Sequence, residues 1–521
     1  MKRFLVAVGA LAAVAAPARA QTFPVSDPVL QRMWALGMDS SRAMDLAQVL
    51  TDSIGPRLTG TPGYDASVRW LVATYAGWGV EARAERYGTW KGWRRGATHL
   101  DLVAPRTRSL EATMLAWSPG TGGKAVQAGV VALPDLADSA AYAAWLPRVK
   151  GAFVLVSAAN ASCRPAENWR TFGQAGAADS TAARRRAQAA AWTARLGKTG
   201  YDSRTLPLAL EKAGAAGILT STWSGGWGVT RIFNARTAST PTLDLSCEDY
   251  GLVWRLAERG QGPRLRLVAD AEFLGEVPVA NAIATIRGSE KPDEYILLSA
   301  HLDSWDGASG ATDNGTGTIT MLEALRILRQ AYPHPRRTIV VGHWGGEEQG
   351  LIGSRAFAAD HPEIVRGLHA LFNQDNGTGR VRNVSMQGLT GAGTAFGGWF
   401  ARLPAELTDS VNLGNPGMPS GGGSDNASFI CHGAPAFSLG ALGWDYGTYT
   451  WHTNRDTWDK LVPEDLERNA TLTAMLVYLA DQEEDPIARD RRVLPVNRQT
   501  GQQATWPECG TPARSFSEWT R

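Results

Sequence analysis

Five short segments of this chain set imidazoles and carboxylates at spacings suited to holding metal ions. His301-Leu302-Asp303-Ser304-Trp305-Asp306 follows an apolar run at 295–299. Residues two apart in an extended segment face the same side, so His301 can bind a metal while Asp303 accepts the other ring N–H. Gly310-Ala311-Thr312-Asp313-Asn314-Gly315-Thr316-Gly317 leads into a helical pattern. An acid there can cap the helix, but its two oxygens can also bridge a pair of cations. Gly345-Gly346-Glu347-Glu348-Gln349-Gly350 follows the apolar run 338–344. Adjacent residues point in different directions, so one of these acids can bind metal while its neighbour takes a proton from water. Asn373-Gln374-Asp375 follows a third apolar run, and Trp451-His452-Thr453-Asn454-Arg455-Asp456-Thr457 supplies a late imidazole. Metal ions held this way acidify water, polarise a carbonyl and stabilise developing negative charge, which is what amide hydrolysis requires. Taken singly each motif is weak, since H-x-D in a surface turn has the same letters.

These side chains can meet only if the strands carrying them lie side by side with their carboxyl ends at one edge, where open α/β sheets form their sites. After Pro278 apolar runs alternate with amphipathic patterns, predicting strands over 295–299, 338–344 and 368–372 and helices over 316–330 and 353–360. In the first helix Ile319, Leu322, Leu325 and Leu328 recur along one face. A last helix starts at Pro463, a residue suited to a first turn, and buries Leu466, Leu472, Leu476 and Leu479. The expected fold class is α/β, a mixed, largely parallel sheet covered by helices. Upstream, helices are expected over 27–54 and 62–78, with strands near 80–87 and 98–103. From 120 to 274 the texture turns Ala/Gly-rich, with short strands at 152–157 and 217–220 and a helix at 206–213. That stretch reads as an inserted domain between a first part of the main domain (21–119) and its larger part (275–490), with a polar tail at 491–521.

At 521 residues the chain is too long for one ordinary core. Lys2 and Arg3, an apolar stretch to Ala16 and the small-residue site Ala18-Arg19-Ala20 have the layout of an export signal cleaved before Gln21. The apolar stretch is short for a membrane span, so no stable membrane insertion is expected. Removing residues 1–20 takes Lys+Arg from 52 to 49, against 50 Asp+Glu. A near-neutral balance argues against nucleic acid as a partner, which needs a dense basic face. Arg184-Arg185-Arg186 reads as a solvated helix face. Cys163, Cys247, Cys431 and Cys509 allow three pairings, of which Cys163–Cys247 with Cys431–Cys509 keeps each bridge within one region.

The motifs in this order resemble metallopeptidase family 28, co-catalytic dizinc exopeptidases that include aminopeptidases and plasma glutamate carboxypeptidase. Ile54-Gly55-Pro56-Arg57-Leu58-Thr59-Gly60 is similar too, and Val149-Lys150-Gly151 resembles the β-rich protease-associated domain often inserted in this family. The run from His301 to Asp306 looks particularly like the plasma glutamate carboxypeptidase branch. The resemblance implies two zinc ions: Asp313 bridging, His301 and Asp375 completing one, Glu348 and His452 the other. It implies Glu347 as general base and Asp303 as the group that orients His301. The implied partner is a peptide substrate, attacked at a terminal bond, most simply at the N-terminus. Carboxypeptidase or dipeptidase action is the nearest rival, and a homodimer is left open. A catalytically dead receptor of the same fold would lack ligands or base, and a single-zinc cyclase would lack the full set; all six residues are present. Two departures bear on substrate contacts: Asn426 follows Ser424-Asp425 where many relatives have histidine, and Trp451 precedes His452, leaving Tyr449 as a candidate oxyanion donor. His99, His334, His343, His361, His369 and His432 match no motif and are expected to be structural or surface residues.

Overall fold

Three apolar runs and a fourth, Ala436–Ala441, form the parallel centre of a sheet. The computed structural model describes residues 23–496 and 498–520, so the expected leader at 1–20 lies outside the described residues. Strand Lys291–His301 pairs in parallel with Arg337–Trp344 on one side and Leu368–Asn373 on the other. Leu368–Asn373 pairs in parallel with Ala436–Ala441. Every residue of Arg337–Trp344 and Leu368–Asn373 is buried, as strands covered on both faces by helices must be. Helix Thr316–Ala331 is buried from Thr316 through Leu328, and Pro463–Gln482 packs beside it.

The helix expected over 27–54 breaks in two. Helical turns cover Pro28–Trp34 and Ala35–Asp39, then Ala43–Gln48 and Val49–Ile54. At the break the Arg42 N–H donates to Glu323 Oε1 (2.9 Å), and the Arg326 guanidinium donates to the carbonyls of Leu36 and Ser40. This buried acid–base pair thus takes up backbone groups that the interruption frees, and nothing local in the sequence signals it.

The strands expected at 80–87 and 98–103 are one strand, Glu81–Ala104, antiparallel to Arg264–Ile286, which is one residue shorter. Register shifts at Arg86/Gly88, Gly92/Trp93 and Arg95/Thr98 absorb the intervening residues as bulges. Trp90 and Trp93 are buried there. Arg264–Ile286 pairs with Arg337–Trp344 at one end and Val126–Ala132 at the other. The expected boundary at 274/275 therefore lies inside a strand.

Beyond the ribbon Val126–Ala132, Phe153–Leu155, Gly217–Thr220 and Thr242–Leu245 form a parallel set. Helices Ala177–Lys198, Thr205–Lys212 and Cys247–Glu258 accompany them, so this stretch is more helical than the β-rich insert expected. It has its own apolar cluster, including Leu133, Val149, Val154, Leu210 and Ile218.

The disulfides are Cys163–Cys247 and Cys431–Cys509, closing 84 and 78 residues of sequence. The tail is anchored by more than its cysteine: the Trp506 indole donates to the Ile430 carbonyl, and Phe516 and Trp519 pack edge-on or tilted against Trp90 and Trp117. His343 and His369 are buried, and burial lowers both to about 3, so they sit neutral in the core. Among the described residues no helix is long and apolar enough to cross a membrane.

Candidate metal centre

The four parallel strands end in register. Trp344 lies opposite His301, Asn373 opposite Ser299, and Ser438 opposite Asn373. The residues singled out by sequence leave from this one carboxyl edge: His301 is the last residue of its strand, Glu347 and Glu348 follow Trp344, Asp375 follows Asn373, and His452 lies in the loops after Ala441.

Asp313 stands just before helix Thr316–Ala331 but does not cap it. Asn314 Oδ1 accepts the Gly317 N–H (3.0 Å), and the Asp456 carboxylate accepts the N–H groups of Thr312 (2.8 Å) and Asp313 (2.9 Å). With those donors satisfied, the Asp313 side chain is released to the edge of the sheet. Gly310 makes the approach possible: its φ is +61°, and a Cβ there would stand 2.3 Å from Ser304 Cβ and 2.9 Å from the Asp313 carbonyl.

Asp313 points one oxygen each way. Oδ1 is 3.4 Å from His301 Nε2, which is 3.2 Å from Asp375 Oδ1. Oδ2 is 3.2 Å from His452 Nε2, which is 2.9 Å from Glu348 Oε2. Two groups of ligand atoms result, His301 with Glu347 and Asp375, and Asp313 with Glu348 and His452, each with its atoms within 4.8 Å of one another. Ligands about 2.0–2.2 Å from a tetrahedral zinc ion stand about 3.3–3.6 Å apart, and these separations of 2.9–3.4 Å lie close to that. Among the described residues Glu348 Oε1 is buried with no hydrogen-bond partner, and an imidazole–carboxylate donor set suits zinc.

The electrostatics also call for a cation. Burial, and then Asp313, push Glu348 up to about 7, and burial raises Glu347 well above the carboxylate range against the pull of His301. Burial alone would lower the imidazoles. Asp375 and Glu347 outweigh it at His301, raising it well above its ordinary value, and Glu348 and Asp313 lift His452 to about 10. Asp313 is held low because hydrogen bonds from both imidazoles overcome its burial. Carboxylates crowded out of water without counter-charge are the usual signature of a functional or metal site.

Asp303 sits differently from its expected role. His301 Nδ1 is 2.9 Å from the Asp303 backbone carbonyl and 3.6 Å from its carboxylate. The carboxylate accepts the N–H groups of Glu347 (3.1 Å) and Glu348 (3.3 Å) instead. Asp303 thus fixes the turn carrying the two glutamates, while its main chain fixes the imidazole.

Several groups at the centre had no assigned role from sequence. Asp425 is fully buried and pushed up by burial to about 7. Asp456, the acid four residues after His452, holds the Asp313 loop as described. Arg57 is fully buried and donates to the carbonyls of Leu302, Gly55, Ser309 and Gly310. Tyr449, the expected oxyanion candidate, is 37 % exposed. The tyrosine that feels the cluster is Tyr446, whose phenol is raised well above 10 by burial and then by Asp313, Asp375 and Glu348. No spacing rule separates the two tyrosines; only the loop's path does.

Residues 230–234 wall the His452 side. The Ile232 N–H donates to the His452 carbonyl (2.8 Å), and Phe233, Trp305 and Trp451 surround the ring. His452 itself is left-handed at φ +59°, a costly backbone for a non-glycine residue that this pairing helps to hold. His432, between Cys431 and Cys509, forms no second metal group because both sulfurs are spent in the disulfide.

Comparison with known proteins agrees with this architecture. The profile of peptidase family M28 matches residues 281–477, which span the whole cluster. Carboxypeptidase Q of Bos taurus is 24% identical over 450 residues, covering 86% of this chain and 87% of that protein. The structure of a peptidase M28 precursor from Shewanella amazonensis aligns with a TM-score of 0.64 at 24% identity, covering 88% of this chain and 97% of that one. A zinc aminopeptidase from Bacillus subtilis aligns at 0.53 and 18%, covering 84% and 93%. With the profile lying over the sheet edge and the relatives matching along nearly their whole length, residues 281–477 form a peptidase family M28 domain and the chain is a zinc-dependent metallopeptidase.

Proposed function

We propose that this chain is an exported aminopeptidase that carries two zinc ions and releases the N-terminal residue of short peptides. His301, Asp375 and Asp313 would hold one ion, and His452, Glu348 and Asp313 the other. When bound, the ions supply Lewis acidity that acidifies a water and polarises the scissile carbonyl. Glu347 accepts the proton of the attacking water on its carboxylate and passes it to the leaving amine. Asp303 keeps Glu347 aimed through the backbone N–H it accepts. Tyr446 remains protonated and serves as the hydrogen-bond donor to the developing oxyanion. Replacing Tyr446 with Phe should lower kcat about 10–100-fold with little change in KM, somewhat less than the loss typical of an oxyanion donor because the ions share the charge. Equal losses in kcat and in zinc content would make the residue structural.

The observation that carries the polarity is charge. Asp303, Asp313, Glu347, Glu348, Asp375, Asp425 and Asp456 converge with Arg57 as their buried cation. With every acid ionised, seven negative charges against Arg57 and two divalent ions leave a formal charge of −2. Such a site attracts an ammonium terminus and repels a carboxylate. The neighbouring cavity of about 570 Å³, lined by Trp227, Trp444 and Tyr449, contains Arg455 and Lys460, but these pair with Glu111 and Asp459. Export is supported by the two disulfides, which persist in oxidising compartments.

The second reading is carboxypeptidase action, favoured by the similarity to the carboxypeptidases Q. Two dipeptides separate them, one with its C-terminus amidated and one with its N-terminus acetylated. Turnover of the amidated peptide alone is expected; turnover of the acetylated peptide alone would reverse the polarity.

A further inference from the structure

We propose that a neutral cavity beside the centre selects peptides whose N-terminal side chain is an uncharged hydrogen-bonding group, a carboxamide or a hydroxyl. The proposal rests on the aminopeptidase reading above and names the substrate class of that same site.

The cavity has a volume of about 520 Å³ and meets the centre at Asn376, next to Asp375, at Asn426, next to Asp425, and at Tyr446. Its floor comes from strand Val381–Ser385 and the residues just after it. Asn383, Ser385 and Gln387 alternate on the open side, while Val384 and Met386 between them are fully buried in the core. Ser438 and Gly440 of the antiparallel partner Ala436–Ala441 continue the same face. Gly440 is needed there: a Cβ would stand 2.4 Å from Asn383 Oδ1. Part of the wall is fixed in advance, since Gln387 Oε1 accepts the Ser420 N–H at 2.7 Å and Ser424 Oγ accepts the Asn373 amide at 2.9 Å.

None of the residues lining this cavity is Asp, Glu, Lys, Arg or His. That contrasts with the charged centre it opens beside. A Lys or Glu side chain entering would lose hydration without gaining a counter-charge. An aliphatic side chain would displace water from amides and hydroxyls and give nothing back. Asn376 Oδ1 and Asn426 Nδ2 are buried without a partner among the described residues, leaving one acceptor and one donor nearest the cluster. A carboxamide offers the complement of both. Sites that hydrogen-bond a substrate group discriminate strongly against analogues lacking it; in an open cavity where water competes, about tenfold or more is expected.

The test uses the zinc-loaded full chain with two substrate series. One is a set of free-amine aminoacyl p-nitroanilides with Gln, Asn, Ser, Thr, Leu, Glu and Lys; the other is N-acetylated dipeptides. Values of kcat/KM for Gln and Asn at least tenfold above those for Leu, Glu and Lys are expected. In N383D, whose side chain is exposed, the Lys substrate should gain at least tenfold relative to Leu, with zinc content and Tm unchanged. Free-amine substrates turned over without that ranking, or N383D leaving the Lys-to-Leu ratio unmoved, would overturn the cavity assignment while sparing the polarity. Turnover confined to the acetylated series would overturn the aminopeptidase reading and this inference with it.

Discussion

Glu347→Gln should reduce kcat by about 10²–10⁴-fold, the usual contribution of a positioned general base, while KM, zinc content and Tm stay close to wild type. Glutamine has the same shape and keeps the backbone N–H that Asp303 accepts, so the glutamate turn should remain in place. What it lacks is a carboxylate able to receive a proton. Because Glu347 lies close to Asp375, Asp425 and Glu348, the amide also removes like-charge repulsion, and the metal-free variant should be at least as stable as metal-free wild type. Kinetics and metal analysis on one preparation decide the matter. A loss below tenfold would deny Glu347 the proton transfer, and a parallel loss of zinc would make it a ligand instead, a role its place beside His301 and Asp375 makes worth measuring.

Chelation should destabilise the protein, and increasingly so as pH rises. Without cations Glu348, Asp425 and Asp456 titrate at about 7, raised chiefly by burial, and the carboxylates around His452 lift it to about 10 despite its burial. All four lie above their unfolded values of about 4 for carboxyls and 6.5 for imidazole. A group of this kind contributes stability that is complete below its unfolded pKa and lost as pH climbs through the folded one. His343 and His369, lowered to about 3, act in the opposite sense, but only below about pH 6.5 where the unfolded imidazoles take up protons. The carboxyls therefore lose their contribution between about pH 4 and 7 and His452 between about pH 6.5 and 10, so between about pH 6.5 and 9 the metal-free protein should lose up to about 1.4 kcal/mol per pH unit, chiefly through His452. Bound cations remove that dependence by supplying the missing charge. The gap in Tm between loaded and chelated protein, measured at several values across that range, should widen with pH. Parallel curves would take the cations away from these side chains.

Much of this centre was legible because His301, Glu347, Glu348 and Asp375 each closely follow an apolar run, and such runs have few alternatives to being buried strands. Once they lie in parallel, His301, Glu347, Glu348 and Asp375 must share an edge. The role of Asp303 was not legible, because H-x-D spacing is equally compatible with a carboxylate or a carbonyl facing the imidazole. Tyr446 and Tyr449 were indistinguishable for a similar reason: the loop around them follows no period. The ribbon was read as two strands because three glycines and a pair of arginines interrupt the alternation that marks a strand, and bulges carry no sequence period of their own. The break near residue 40 depends on Glu323 and Arg326, some 285 positions away, and no local pattern could have carried that information.

The ribbon bears on how the molecule responds to force and heat. A module hung from two loops would swing on its tethers, but residues 105–263 are joined to the rest through Glu81–Ala104 and Arg264–Ile286, which are paired to each other at twenty positions and shared with the main sheet. The stretch is cantilevered from a stiff beam. Torsion at its far end is transmitted along the ladder to the strand beside Arg337–Trp344, and the wall it lends to His452 is aligned both by that ladder and by the Ile232–His452 hydrogen bond.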